Sequence, residues 1–261
     1  FVEIIKKILK KIVYLFNIFK GRKNKNSIDM FFIAGNDTKL LEKNKFSKKI
    51  INTNIFDYEL YLNSKNNKKI FSFKKDTAVF LDEQMFDHID NKILELKPPV
   101  SKNYFSKLNN FFNFIEKKIN IKIIIALHPR CENEDYKKLF MGRECFIHKT
   151  LDLVKESSIV LLHASTTGIS FPVICKKPLI FITTNELEKS LLYKIRFETY
   201  KSILKQPSIN ISLPERYNNF NSYNYINTKG YNDYFRSYIK SDDSEDKPLW
   251  ETFVTHLKAC N

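Results

Sequence analysis

The feature that most constrains this chain is a rhythm of short apolar runs that stop at polar loops, with helical patterning between them. Residues 121–130, IKIIIALHPR, form one run that ends in His128-Pro129-Arg130. Residues 158–168, SIVLLHASTTG, form a second that ends in His163 and a hydroxyl-rich loop, and KKPLIFIT (176–183) forms a third. Runs of this length without polar alternation read as strands covered on both faces, and strands alternating with helices build a parallel sheet with right-handed crossovers. In such sheets the ligand crevice lies outside the carboxyl ends of the strands, where helix N-termini offer free N–H groups to anions. The two histidine loops stand 35 residues apart, a spacing that suits one phosphate-bearing ligand held between them.

The rest of the pattern fits the same class. From Lys102 to Lys118 the positions Tyr104, Phe105, Leu108, Phe111, Phe112 and Ile115 recur at three and four, which predicts an amphipathic helix. SIDMFFIAGND (27–37) reads as a strand ending in a turn, and KKIINTNIFDYELYL (48–62) as a short strand, a loop and an acidic-aromatic segment. NSKNNKK (63–69) is the linker candidate, and DTAVFLDEQMFDHID (76–90) is a strand that ends in an acidic loop. Helices are expected after Glu134, from an N-cap at Thr150, and through ISFPVIC, where Pro172 falls in the first turns. Residues 205–235 read as loop-heavy, and a final helix comes after the hydrophilic turn at 241–248. The expected division is 1–70, a basic amphipathic helix and the end of an N-terminal lobe; 71–240, a Rossmann-like domain; and 241–261, a C-terminal helix.

A net charge of +15 over 261 residues predicts attraction to anions: nucleotide phosphates, an acidic glycan, nucleic acid or an anionic membrane face. No Arg/Gly-rich tract or RNP-like aromatic motif is present, so nucleic acid is set aside as a partner. No run of 18 apolar residues occurs. The opening segment places Ile4, Ile5, Ile8, Leu9, Ile12, Leu15, Phe16 and Phe19 on one helical stripe, with Lys6, Lys7, Lys10 and Lys11 mostly opposite. Such a helix can lie on an anionic bilayer or pack on a core with a solvated lysine face. The chain opens on Phe1, so a further upstream segment is expected. Four cysteines in a chain of this length argue for a reducing cytoplasm, with peripheral attachment to the inner membrane face left open. His128-x-x-Cys131 and Cys145-x-x-His148 have a spacing acceptable for zinc, but they lack a Gly turn inside either couple, and no metal is expected.

The order of apolar strand, His128-Pro129-Arg130, short helix, His163-x-Ser165-Thr166-Thr167 and a Lys-Pro strand resembles GT-B glycosyltransferases of bacterial surface polysaccharide assembly. More narrowly it resembles polysialyltransferases, related sialyltransferases and Kdo transferases, and it is clearest over residues 76–184. The resemblance implies a GT-B-like α/β fold: a Rossmann-like donor domain with a partial or reduced N-terminal lobe, since no complete first Rossmann-like domain is visible. It implies transfer of a sugar, a nonulosonic acid or Kdo, from a nucleotide-activated donor (a CMP-sugar favoured) to a glycan or glycolipid acceptor. The nucleotide-sugar is a cosubstrate and no cofactor is implied. No DxD element is present, which favours a metal-independent mechanism.

By the same resemblance His128 would contact the donor phosphate, with Pro129 fixing the turn that presents it. Ser165, Thr166 and Thr167 would supply hydroxyls and N–H groups at a helix N-terminus, a role compatible with ordinary N-capping. Arg130 and Arg143 are forks for phosphate or carboxylate, and His163 is open between core and site. Transfer to a hydroxyl needs a base; Asp82 and Glu83, directly after a strand, are the candidates, although the glycine that neighbours the acidic pair in polysialyltransferases is absent here. Asp57 and Asp37 compete for the role, and His88 is either partner or bystander. The alternative is a non-catalytic phosphate- or nucleotide-binding module, or a membrane adaptor.

Overall fold

A computed structural model describes residues 28–36, 47–65, 71, 73, 76–86, 93, 100–131, 134–164, 166–218, 221 and 223–259. The opening helix, Asp37, His88, Ser165 and Cys260 lie outside the described residues.

Strands β1 (Ile28–Ala34) and β2 (Ser47–Thr53) pair in parallel as a two-stranded sheet, and helix α1 (Phe56–Ser64) comes next. The main sheet then alternates strictly. Its first half runs β3 (Thr77–Leu81), α2 (Tyr104–Lys118), β4 (Lys122–Ala126), α3 (Glu134–Lys138) and β5 (Cys145–Phe146). Helix α4 (Thr150–Glu156) leads to β6 (Ile159–Leu162), a 3₁₀ turn (Thr167–Ile169), α5 (Ser170–Ile174) and β7 (Leu179–Thr183). Helices α6 (Asn185–Lys189) and α7 (Leu191–Leu204) return to β8 (Ser208–Asn210). A 3₁₀ turn (Pro214–Arg216), α8 (Thr228–Tyr234), a π-helical turn (Phe235–Ile239) and α9 (Leu249–Lys258) close the chain.

The strand order is β5-β4-β3-β6-β7-β8, and every neighbouring pair is parallel. Counting from β3, that is the 3-2-1-4-5-6 order of a doubly wound, Rossmann-like sheet. The chain winds outward from β3 on one side and from β6 on the other, so the crossovers diverge between these two strands. That divergence opens a crevice at their carboxyl ends.

Burial is set by the apolar runs. All of β3, β6 and β7 is buried, as is β4 beyond Lys122. Helix α2 turns Tyr104, Leu108, Phe111, Phe112 and Ile115 inward; Phe112 meets Phe80 of β3 edge-on at 5.3 Å. Strands β5 and β8, of two and three residues, were not foreseen, because an element so short shows no period. Helix α4 corrects the expected cap. Thr150 is its first helical residue, and Lys149 occupies the cap position without a side-chain bond.

The end of β1 meets the π-helical turn at a tight junction. Gly35 has φ +71°, and a Cβ there would come within 2.2 Å of the Ser237 carbonyl oxygen, so only glycine allows this approach. The Asn36 N–H donates to the Arg236 carbonyl at 2.8 Å, and the Ile55 N–H to the Ile239 carbonyl at 3.0 Å. Helix α9 leaves the main sheet and packs on β1, with Phe253 and Phe32 ring centroids 5.0 Å apart. Among the described residues no helix is long and apolar enough to cross a membrane.

Candidate functional site

The crevice between β3 and β6 is a cavity of about 550 Å³, within the usual size of a small-molecule site. Leu81 and Asp82 reach it from the end of β3; Ala126, Leu127, His128 and Pro129 from the end of β4; and Thr166, Thr167 and Gly168 from the loop after β6. His148, Thr150 and Asp152 close one side beyond β5, while Phe56, Asp57 and Leu60 of α1 close another. The walls therefore combine apolar surface with three carboxylates, two imidazoles and three hydroxyls. Among the lining residues there is no Lys or Arg.

Asp82 is the most perturbed of these groups. The residue is 7% exposed. Its Oδ1 accepts the Tyr136 hydroxyl at 3.0 Å and the Gln84 N–H at 3.2 Å. Among the described residues Oδ2 accepts no hydrogen bond. Burial pushes its carboxyl up to about 6, and the bonds from Tyr136 and Gln84, with the His128 amide, pull part of the way back. A carboxyl held near neutrality in a cleft can accept or release a proton there, which is what a general base or acid needs. Glu83 is buried too, but it does not line the cavity.

His128 is half-buried at the mouth of the cleft. The chain turns sharply after it: the Cys131 N–H donates to the His128 carbonyl at 2.8 Å. The Arg130 N–H donates to His128 Nδ1 at 3.2 Å. With Nδ1 accepting, the neutral ring carries its hydrogen on Nε2, which is then a donor for an incoming oxygen. Proline at 129 lacks an N–H and fixes φ, so it favours this turn.

In the loop after β6, the Thr166 hydroxyl oxygen accepts the Gly168 N–H at 3.0 Å and caps the 3₁₀ turn. Ser170 of α5 donates its hydroxyl to Asp57 Oδ2, which fastens α1 to the loop side of the cleft. Burial raises the Asp57 carboxyl, and the Ser170 bond lowers it in part.

His163 and Arg143 belong elsewhere. His163 is 0% exposed. Its Nδ1 lies 2.6 Å from the Ile182 carbonyl oxygen and must donate to it; its Nε2 accepts the Tyr104 hydroxyl at 2.7 Å. Burial lowers the ring to about 4, so it is neutral and fully occupied. Arg143 is held by Glu116, at 3.2 Å from Nε to Oε1 and 2.7 Å from Nη2 to Oε2. It also donates to Asn109 and Asn113 and lies over the Phe112 ring. That guanidinium staples α2 to the loop before β5 and does not line the cleft. Arg130 is exposed beside the His128 turn without lining the cavity. Among the described residues no three His, Cys, Asp or Glu side chains are grouped to hold a metal ion.

Several cleft residues carried no signal for this site in the sequence, where His148 stood out only for its spacing to Cys145 and Thr150 only as a cap. His148, at φ +56°, and the Thr150/Asp152 pair reach the site only because β5 pairs beside β4. Phe56 and Leu60 do so only because α1 packs on α5.

No protein-family model and no curated protein matches this sequence. Among solved structures the chain is similar to a kitacinnamycin glycosyltransferase, with a TM-score of 0.37 and 8% identity over 57% of this chain and 34% of that one. It is similar also to spinosyn forosaminyltransferase, with a TM-score of 0.32 and 11% identity over 67% of this chain and 36% of that one. The chain thus spans about a third of the length of either. Likenesses this distant carry no function across.

Proposed function

We propose that this chain is the donor-binding part of a metal-independent GT-B-like glycosyltransferase, with the nucleotide-activated sugar in the cleft between β3 and β6. The observation that carries the reading is the convergence of Asp82, His128, Thr166 and Thr167 from three strand ends on one cavity at the switch point of a doubly wound sheet. The sequence order that resembles polysialyl-, sialyl- and Kdo transferases supports a CMP-linked nonulosonic acid or Kdo as the sugar. A glycan or glycolipid of the bacterial surface is the acceptor in this reading, and residues 71–240 form the donor domain.

The chemistry rests on two groups that line the cleft from the ends of the paired strands β3 and β4. Asp82 takes the proton of the acceptor hydroxyl as its oxygen attacks the anomeric carbon. The bond from that carbon to the phosphate oxygen breaks, and the electron pair leaves with the nucleotide. His128 donates Nε2–H to the oxygen on which charge develops. Thr166, Thr167 and the amides of their turn hold the remaining phosphate oxygens. These are neutral donors, in keeping with a cleft that no lysine or arginine lines among the described residues.

Calorimetric titration of the purified chain with CMP, UDP and GDP tests the reading. CMP is expected to bind best, and the His128→Ala variant to bind it less well. If no nucleotide binds at millimolar concentration, the donor site is wrong; if CMP binds but no activated sugar is ever turned over, the chain is a binding module.

A further inference from the structure

The start of α7 exposes apolar side chains that an ordinary packed helix would cover. Leu191 is 71% exposed, Leu192 57% and Ile195 56%. On the opposite face of the same helix Tyr193, Phe197 and Leu204 are buried. Helical periodicity therefore makes α7 apolar on two sides, and only one of them is used by the core. Basic side chains frame the open side. Lys194 stands on one flank and Arg196 on the other, while Lys189 ends α6 just before the helix; all three are exposed. From Glu188 to Lys205 there are five basic residues against two acidic ones, Glu188 and Glu198.

The patch is placed by the same residues that build the sheet. The Tyr193 hydroxyl donates to the Ile182 carbonyl at 3.0 Å and accepts the Ala164 N–H at 3.4 Å. This pins the first turn of α7 to the carboxyl ends of β6 and β7. Leu191, Leu192 and Ile195 therefore lie on the outer side of that turn, level with the carboxyl ends of β6 and β7.

We infer that this surface of α7 seats the protein on an anionic lipid bilayer. Leucine and isoleucine would enter the headgroup–acyl boundary, and Lys189, Lys194 and Arg196 would meet the lipid phosphates. An apolar strip with cationic flanks is the pattern of interfacial attachment without a spanning segment. A water-soluble protein partner would not require the basic frame, and the net charge of +15 reinforces attraction to an anionic surface. The surface stands apart from the donor-site reading: it remains if the cleft binds no nucleotide.

Sedimentation of the full chain with vesicles tests it, using phosphatidylcholine alone and phosphatidylcholine mixed with phosphatidylglycerol. The chain is expected to pellet with the mixed vesicles, to be released by salt, and to stay in solution with the neutral ones. Leu191→Glu with Leu192→Glu should lower the partition coefficient by at least about tenfold without changing Tm, since both side chains are exposed. Lys194→Gln with Arg196→Gln should lower it by about thirtyfold, at roughly 1 kcal/mol per basic residue near the surface. Amide exchange in α7 should slow when mixed vesicles are added. Vesicle binding that leaves α7 exchange unchanged and ignores both double variants would overturn the inference, as would a dimer broken by the Leu191/Leu192 variant in the absence of lipid.

Discussion

The loops after β4 and after β6 share one motif, an apolar strand that ends in histidine, yet they use it in opposite ways. His128 is half-buried, takes a local bond at Nδ1 and lines the cleft. His163 has no exposed surface and both its nitrogens are bonded within the core. The difference lies in the residue next to each ring and in the side chains packed over it. Pro129 turns the chain outward directly after His128, whereas Tyr104 and Tyr193 close over His163. A histidine at a strand end is thus a site residue only where a turn lifts it off the sheet. The buried one serves by holding Tyr104, β7 and, through Tyr193, the loop that carries Thr166.

The comparison can be broken most sharply at His128. Its replacement by alanine should cost transfer about 10²–10⁴-fold in kcat, with Tm unmoved, as measured by donor turnover and thermal unfolding. A fall in Tm instead would make His128 structural. His163→Ala should do the reverse. It leaves a cavity and strands the Tyr104 hydroxyl, while the Ile182 carbonyl keeps its bond from Tyr193; chemical denaturation should show a loss of about 3 kcal/mol, with nucleotide affinity falling only as the fold loosens.

The pH dependence separates the two ends of the site. His163 is lowered in the fold from an ordinary 6.5 to about 4, so its contribution is full above 6.5 and is lost as pH falls toward 4. The full loss is roughly 3 kcal/mol, and it should vanish in His163→Phe. Asp82 is raised, so it stabilises the fold while protonated, and that stability is lost as pH rises through about 6. Asp82→Asn should therefore be more stable than the parent at pH 8 by about 1–3 kcal/mol, equal to it near pH 4, and inactive in transfer. If the variant is destabilised at both pH values, the carboxylate is structural. The smallest effect belongs to the cap. Thr166→Ala removes the acceptor for the Gly168 N–H and should cost about 1 kcal/mol; Thr166→Ser should restore it.

The strands at 122–126, 159–162 and 179–183 were legible as continuous apolar runs bounded by polar loops, and the helix at 104–118 by its three-and-four period. Of the residues named for the site from sequence, Asp57, Asp82, His128, Pro129, Thr166 and Thr167 line one cavity. Arg143 was drawn into an ion pair with Glu116, which lies 27 positions earlier on another element, and no local pattern signals such a bond.

Local sequence determined which segments are strands and helices, and that the sheet is parallel, because apolar periodicity and turn residues act over a few neighbours. Tertiary structure alone decided the strand order, and with it the crevice between β3 and β6 and the reach of α1 and the β5 loop into it. It also decided which histidine faces a ligand. That choice depends on what packs across the ring, and the residues that pack there are far away in the chain.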